Sequence, residues 1–586
     1  MQKLTFSYTT NNLQKLFVEK GLELLYKDTI DTYRLRLHNP KTLIKELVFN
    51  CKSAKEGILT NNQYAIATTK EIKNILKSKD DGLSFVSVNR EYYLNLLKSV
   101  KKDEINRIIQ ASNLVLSDNQ NYNKSLIINT EALLSNFSSI DDLEHNDVKV
   151  FMLHLHYHII ELINLGYTKQ YLYHFFRTIF VHAGDNSLTF EDRFETWKAI
   201  SSKEKERYNV IFEIIGKGFQ HKILSQINSN FIPVNKKFRR ILDSNTSRKV
   251  TSYLEDKKGN NLISIKVECL DHFKAVEISR SILASNLDIY HLGYNDKSFK
   301  IDIQGAVIGE NQPNKSSILP INYQIDGYVR SSKHVFETIL QKIKNLESNN
   351  VSPESIDKII SAVRYLRTGT ESPELETQLL NYWIGLEYIF TFFNNQEKTI
   401  DLMCKYFPVC HGVIYIKRNL HDFHRALNRL HFSTQIQDYD NNLKYLTNYN
   451  NYNQIINLSD NELLKFRAKF YQKWVSDPSN ISRALFKHQE NLSQNIIRLY
   501  RIRNEIVHNA ALTDNIFTNV SHIKYYLTFI INSLLDFMSN SPVDINSDTK
   551  ITIEDYFISQ DIILGSLNGK TITEYLKVRN PLELIS

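Results

Sequence analysis

The chain has 586 residues, too many for one hydrophobic core, so two to four domains are expected. Apolar residues make up 42% and aromatic residues 11%, ample for globular packing, while 17 glycines and 10 prolines are few enough to suit long helices. The net charge of +8 is modest for this length and permits a polyanionic partner without demanding one. Four cysteines, Cys51, Cys269, Cys404 and Cys410, are too sparse for a disulfide framework and imply a reducing compartment. The first residues, MQKLTFSYTT, lack the apolar segment of a signal peptide, and no apolar run reaches the roughly 18 residues of a membrane span. A soluble, cytoplasmic protein is expected, with no membrane partner.

Residues 1–235 read as a mainly helical region with brief strand-like runs such as LSFVSV near Ser84 to Val88. VKVFMLHLHYHIIELINLGY and TKQYLYHFFRTIFVH form a helical hairpin, with Gly166 as the stop and Thr168 as the next cap. His154, His158 and Glu161 share one face of the first of these helices, a spacing compatible with zinc, although packed histidines are the commoner use of such a face. Arg177 and His182 are a minor catalytic candidate on the second.

Residues 236–346 change texture. SRKVTSYL, NLISIKVECL and KSFKIDIQGAVI are β-branched and partly alternating, which argues for strands, and HFKAVEISRSILASNLDIYHLG between them is an amphipathic helix. The result is a small α/β module whose last part, SSKHVFETILQKIKNLESNN, returns to helix before a boundary near Pro353.

Residues 350–545 carry a four-helix pattern with an insertion at about 397–485. The first helix opens at Ser352-Pro353-Glu354 and is expected to stop at Gly369. The second has an apolar stripe at Leu375, Leu379, Trp383, Leu386, Phe390 and Phe393, with Glu387 beside it as a candidate partner for an arginine. The insertion holds a Tyr/Asn-rich stretch from Asp438 to Asn457, read either as a solvated loop or as a surface whose tyrosines stack on unpaired bases. Cys404, Cys410, His411, His421 and His424 also lie there, in a spacing that fits no standard zinc finger. The third helix spans about 483–508, and the fourth, capped by Thr513 or Asp514, about 515–539. The tail, 546–586, mixes strand-like TKITI with short helices.

The third helix ends in IIRLYRIRNEIVHNAALTDN, which places Arg503, Asn504 and His508 in the order R-N-x-x-x-H. A guanidinium to hold a phosphate and an imidazole titrating near neutrality are what a metal-independent ribonuclease needs. Arg and His with four to six residues between them is by itself unspecific: about two such pairs are expected by chance in this composition. It recurs here at Arg177/His182, Arg418/His424, Arg425/His431, Arg483/His488 and Arg501/His508. Arg418, followed by Asn419 in RNLHDFH, is the runner-up.

The R-N-x-x-x-H pattern on the third helix, with Trp followed four residues later by Glu on an earlier one, resembles HEPN domains of bacterial toxin and phage-defence ribonucleases, the ApeA-like type among them. The resemblance implies a mainly α, multidomain protein in which a C-terminal HEPN helical bundle follows the α/β module and a helical N-terminal region acting as sensor. It implies cleavage of RNA by 2′-hydroxyl attack, with no cofactor, in a homodimer or higher oligomer. Arg503, Asn504 and His508 would be catalytic, and Glu387, Arg501 and Glu505 would bind RNA or support the site. The RNA would be single-stranded or looped, tRNA being one candidate, and the trigger would be phage-derived.

On a straight helix Arg501, Asn504, Glu505 and His508 fall near one face, while Leu492, Ile496, Leu499 and Ile506 form the packing stripe. Arg503 lies about 140° from His508, so both reach one phosphate only if the helix distorts or two protomers pool their motifs. Two other functions remain open on residues alone: a non-catalytic binding or oligomerisation protein, and a metal-dependent hydrolase using the His154 or Cys404 regions.

Overall fold

Side chains that take the first free amide of a helix set many of the starts along this chain. Asn11, Thr168, Thr189, Ser352, Asn461 and Thr552 each accept from an amide of the first turn. The computed structural model describes residues 4–27, 38–56, 63–77, 81–101, 103–138, 145–182, 187–216, 230–234, 247–257, 261–293, 299–311, 316–320, 333–392, 397–432, 435–436, 438–440, 442–509, 516–540 and 550–579. The described chain is mainly helical with one small antiparallel sheet. Among the described residues no helix is long and apolar enough to cross a membrane.

The N-terminal lobe consists of α1 (Asn12–Leu25), α2 (Pro40–Lys55), α3 (Gln63–Leu76), α4 (Arg90–Leu96), α5 (Ile105–Asp118), α6 (Tyr122–Asn136), α7 (His145–Leu165), α8 (Lys169–Phe180) and α9 (Phe190–Ala199). Their apolar stripes meet in one core around Phe17, whose ring contacts Phe151, Phe176, Phe180 and Phe194. The expected LSFVSV strand is instead a bent loop. Its amides at Ser84, Val86 and Ser87 are taken by Asn119 and Asp118 rather than by a neighbouring strand.

The sheet has the order β2-β3-β1-β4-β5, built from β1 (Glu206–Ile215), β2 (Phe231–Pro233), β3 (Leu262–Cys269), β4 (Lys300–Gly309) and β5 (Ser317–Pro320). Helix α11 (His272–Gly293) covers one face over Val210, Phe212 and Ile214, and α10 (Arg248–Asp256) covers the other over Ile211. Two expectations change here. The first two strands lie inside the region read as helical, before residue 236. SRKVTSYL is not a strand but α10, because Val250, Tyr253 and Leu254 recur at helical spacing and bury together.

The C-terminal part comprises α12 (Lys333–Ser348), α13 (Pro353–Glu371), α14 (Leu375–Ile389), α15 (Thr399–Arg429), α16 (Tyr449–Leu458), α17 (Glu462–Ser476), α18 (Pro478–Asn509), α19 (Ile516–Asn540), α20 (Ile553–Leu567) and α21 (Ile572–Lys577). One core joins α13, α14, α18, α19 and the first half of α15, and a second gathers the rest of α15 with α16, α17 and α21. Both ends of the expected bundle move outward. Leu346 of α12 and Tyr556 and Phe557 of α20 lie in its core, so these two helices pack with it. Among its described residues TKITI supplies a single parallel bridge, Ile551 to Val351. The Tyr/Asn-rich stretch is no solvated loop, since Tyr445 and Tyr452 are buried in the second core. Phe393, Thr513 and Asp514 lie outside the described residues.

Gly369 does not stop α13, which runs on to Glu371. It lets α13 and α14 approach: a Cβ added there would lie 2.5 Å from Cε1 of the buried Tyr382. Alanine favours a helix over glycine by about 1 kcal/mol, whereas overpacking costs about 1–3 kcal/mol. Gly369→Ala is therefore expected to destabilise the bundle by up to about 2 kcal/mol net, read as a lower thermal midpoint. An unchanged or raised midpoint would show that Tyr382 gives way freely.

Candidate functional site

Leu492, Ile496, Leu499 and Ile502 press α18 into the bundle core, and that docking decides what its other faces meet. Arg503 comes out at the flank of this stripe, with about a quarter of its side chain exposed. Its Nη1 donates to Asn504 Oδ1 at 2.9 Å, and its Nη2 lies 3.9 Å from Glu387 Oε2. Glu387 Oε2 also accepts from Trp383 Nε1 at 2.9 Å, one turn earlier on α14, and the Trp383 ring stacks on Tyr500. The tryptophan thus fixes the carboxylate that faces the arginine. At this exposure the ion pair itself contributes little, so its effect is orientation.

Asn504 links this group to the N-terminal lobe. Its Nδ2 donates to Tyr64 Oη at 3.0 Å, and burial pushes the Tyr64 hydroxyl up to about 12, so it stays protonated. Two turns of α18 next to it are held more strongly. Glu46 of α2 accepts from Arg498 Nε and Nη2, both at 3.0 Å, and from Arg501 Nη2 at 2.8 Å. Glu71 of α3 accepts from Arg498 Nη2 at 2.7 Å, and Asn50 accepts from Arg501 Nη1 at 3.0 Å. Glu505 lies 3.5 Å from Arg501.

Glu46, Arg498 and Arg501 are all buried, each no more than 9% exposed. Burial alone would raise the Glu46 carboxyl, but the charges of Arg498, His38 and Arg501 outweigh it and hold the group well below the usual range. Burial raises Glu505, with Arg501 only partly opposing it. Removing one member of such a cluster strands the opposite charge out of water, at a typical cost of about 3–5 kcal/mol.

Helix α18 continues through Asn509, so the backbone does not break before His508. The His508 side chain and residues 510–515 lie outside the described residues. By helix geometry position 508 shares the face of Arg501 and Asn504 and stays about 140° from Arg503. Of the expected residues, the structure therefore brings Arg503, Asn504 and Glu387 together. It places Arg501 and Glu505 in the joint with the N-terminal lobe.

The other motifs separate. Arg418 lies over the Tyr525 ring and 3.2 Å from His411 Nε2, whereas His424 meets Tyr445 and Asn428. His158 is fully buried with Nδ1 2.6 Å from Asn123 Oδ1, and Glu161 is engaged by Asn39 and Lys41. Among the described residues no group of three or more His, Cys, Asp or Glu side chains is arranged to hold a metal.

Glu46, Asn50, Tyr64, Glu71 and Arg498 were not singled out from sequence. The one local sign was Glu46 itself, a carboxylate in the apolar run LIKELVF.

No protein-family model, curated protein or solved structure matches the chain.

Burial holds the His158 imidazole down at about 3, against 6.5 when unfolded. Its neutral form therefore stabilises the lobe fully above pH 6.5, and that stability is lost as pH falls from 6.5 toward 3, amounting to about 2 kcal/mol by pH 5. His158→Gln keeps a partner for Asn123 but cannot titrate. Its thermal midpoint should start lower at pH 7 and fall less than the wild-type midpoint between pH 7 and pH 5. Parallel curves would show that His158 is not a proton-linked group.

Proposed function

We propose that this chain is a metal-independent endoribonuclease of the HEPN type, a toxin or abortive-infection effector of antiphage defence. The observation that carries the proposal is the fixing of Arg503. Its guanidinium is held between Asn504 and a carboxylate that Trp383 orients, in the last turns of a helix that continues to His508. Such a guanidinium presents donors to a phosphate while its own position is set by neighbours.

The RNA 2′-hydroxyl attacks the adjacent phosphorus, the bond to the 5′-oxygen breaks, and a 2′,3′-cyclic phosphate and a 5′-hydroxyl remain. His508 moves the proton as general acid or base, Arg503 stabilises the charge gathering on the phosphate, and Asn504 orients the pair. On α18, helical through Asn509, positions 503 and 508 of one chain lie about 140° apart around the axis. The site is therefore composed from two protomers of a homodimer, and the N-terminal lobe restrains it until a phage-derived cue arrives. Single-stranded or looped RNA, tRNA included, is the substrate.

Purified protein should cleave such RNA in EDTA. Arg503→Ala and His508→Ala should each lower the rate about 100-fold or more, with fold and oligomer unchanged. Arg418→Ala should not. A heterodimer of the Arg503→Ala and His508→Ala chains should regain part of the activity, because one of its two composite sites keeps both residues. A requirement for added divalent metal, or loss of activity only together with unfolding, would sink the proposal.

A further inference from the structure

Arg498 and Arg501 stand one turn apart on α18, just before Arg503, and both reach toward the same point between α2 and α3. A single carboxylate, Glu46, occupies that point and accepts from both guanidiniums at 2.8–3.0 Å, with Glu71 adding a contact of 2.7 Å to Arg498. Guanidinium forks match the oxygens of a phosphodiester as well as they match those of a carboxylate. We propose that Arg498 and Arg501 form a binding site for RNA backbone phosphate, masked in this conformation by Glu46 and Glu71 of the N-terminal lobe. This rests on the ribonuclease assignment for the identity of the polyanion, not for the existence of the site.

Three observations favour a mask over a permanent joint. At Arg498 and Arg501 the contact is carried by charges, although buried ion clusters are poor sources of stability compared with apolar packing of the same volume. The cluster is also incompletely satisfied: Arg501 Nε and Glu505 Oε1 are buried without a hydrogen bond. Finally, the Tyr64 hydroxyl, carried by the same α3 as Glu71, bonds Asn504 beside Arg503. One displacement of α2 and α3 therefore frees both the arginine pair and the motif, and an incoming phosphate replaces each ion pair that is lost. An apolar joint offers no such exchange.

The test uses full-length protein and a fluorescein-labelled 2′-O-methyl oligouridine, which has the phosphates of RNA but no 2′-hydroxyl to attack. Fluorescence anisotropy should show the Glu46→Gln/Glu71→Gln variant binding at least tenfold more tightly than wild type, with a steeper dependence on salt. Adding Arg498→Gln should abolish the gain. Equal affinity in a variant whose circular dichroism is unchanged would overturn the proposal.

If the double variant does not fold, the wild-type chain gives the same reading through hydrogen exchange. Saturating oligonucleotide should speed exchange in peptides covering residues 40–76, and unchanged exchange there would overturn the mask. Tighter binding by the double variant without cleavage of an all-ribose RNA would leave the masked site standing and remove the ribonuclease assignment. Cleavage with unchanged binding would do the reverse.

Discussion

A carboxylate taken out of water must be met by opposite charge, and Glu46 meets that constraint chiefly by drawing two arginines from a helix some 450 residues away in the chain, with His38 of its own lobe beside it. Neither part satisfies its charges alone. Without the lobe, Arg498 and Arg501 would look for other anions. Without α18, Glu46 would be a carboxylate on a largely apolar helix face. The joint is reinforced at a second place, where Glu19 of α1 accepts the Leu463 amide at the start of α17 and Glu23 pairs with Arg467. The N-terminal lobe therefore grips the C-terminal part through its long insertion as well as through the motif helix.

This second grip gives the insertion a physical role. Helix α15 leaves the bundle core after Ile414, builds a separate core with α16 and α17, and α18 returns from it. The insertion thus lengthens the motif helix to 32 residues and adds a shelf on which α1 rests, with Leu463 packed among the lobe's own apolar residues. The lobe's position on α18 is fixed by two separated contacts rather than by a single hinge-like one. The glycines contribute in the other direction: Gly369 and Gly385 allow α13, α14 and α19 to pack closely, which sets where Trp383 and Glu387 stand against α18.

The helices and their apolar stripes were legible because a 3.6-residue period is local information; the stripe from Leu375 to Phe390 is buried where its spacing places it. So was an arginine partner for Glu387, from a carboxylate lying beside that stripe. Strand β1 escaped for a physical reason. Both of its faces are covered, Val210, Phe212 and Ile214 by α11 and Ile211 by α10, so the run NVIFEII has no alternation to betray it. Segment 247–254 misled in the opposite way, its β-branched composition masking the helical spacing of Val250, Tyr253 and Leu254. The joint around Glu46 has no periodic signature, because its partners are brought together only by tertiary packing. Arg501 and Glu505 could be placed on the right face of α18 from sequence, but what that face meets could not.

That face carries a further consequence. Arg501 and Asn504 point to the side of α18 on which helix geometry puts position 508, and α2 and α3 cover both residues there. On the proposed assignment a second protomer must approach the same side to complete a composite site. Lobe docking and productive dimerisation then draw on one surface and are coupled reciprocally: whatever loosens the lobe favours the dimer, and whatever stabilises the dimer loosens the lobe. A cue recognised anywhere on the N-terminal lobe need not reach the motif to act. On that assignment it has only to bind more tightly to an undocked lobe than to the docked one, and the charge cluster at Glu46 together with the grip at Leu463 and Arg467 would set how much binding energy that shift requires.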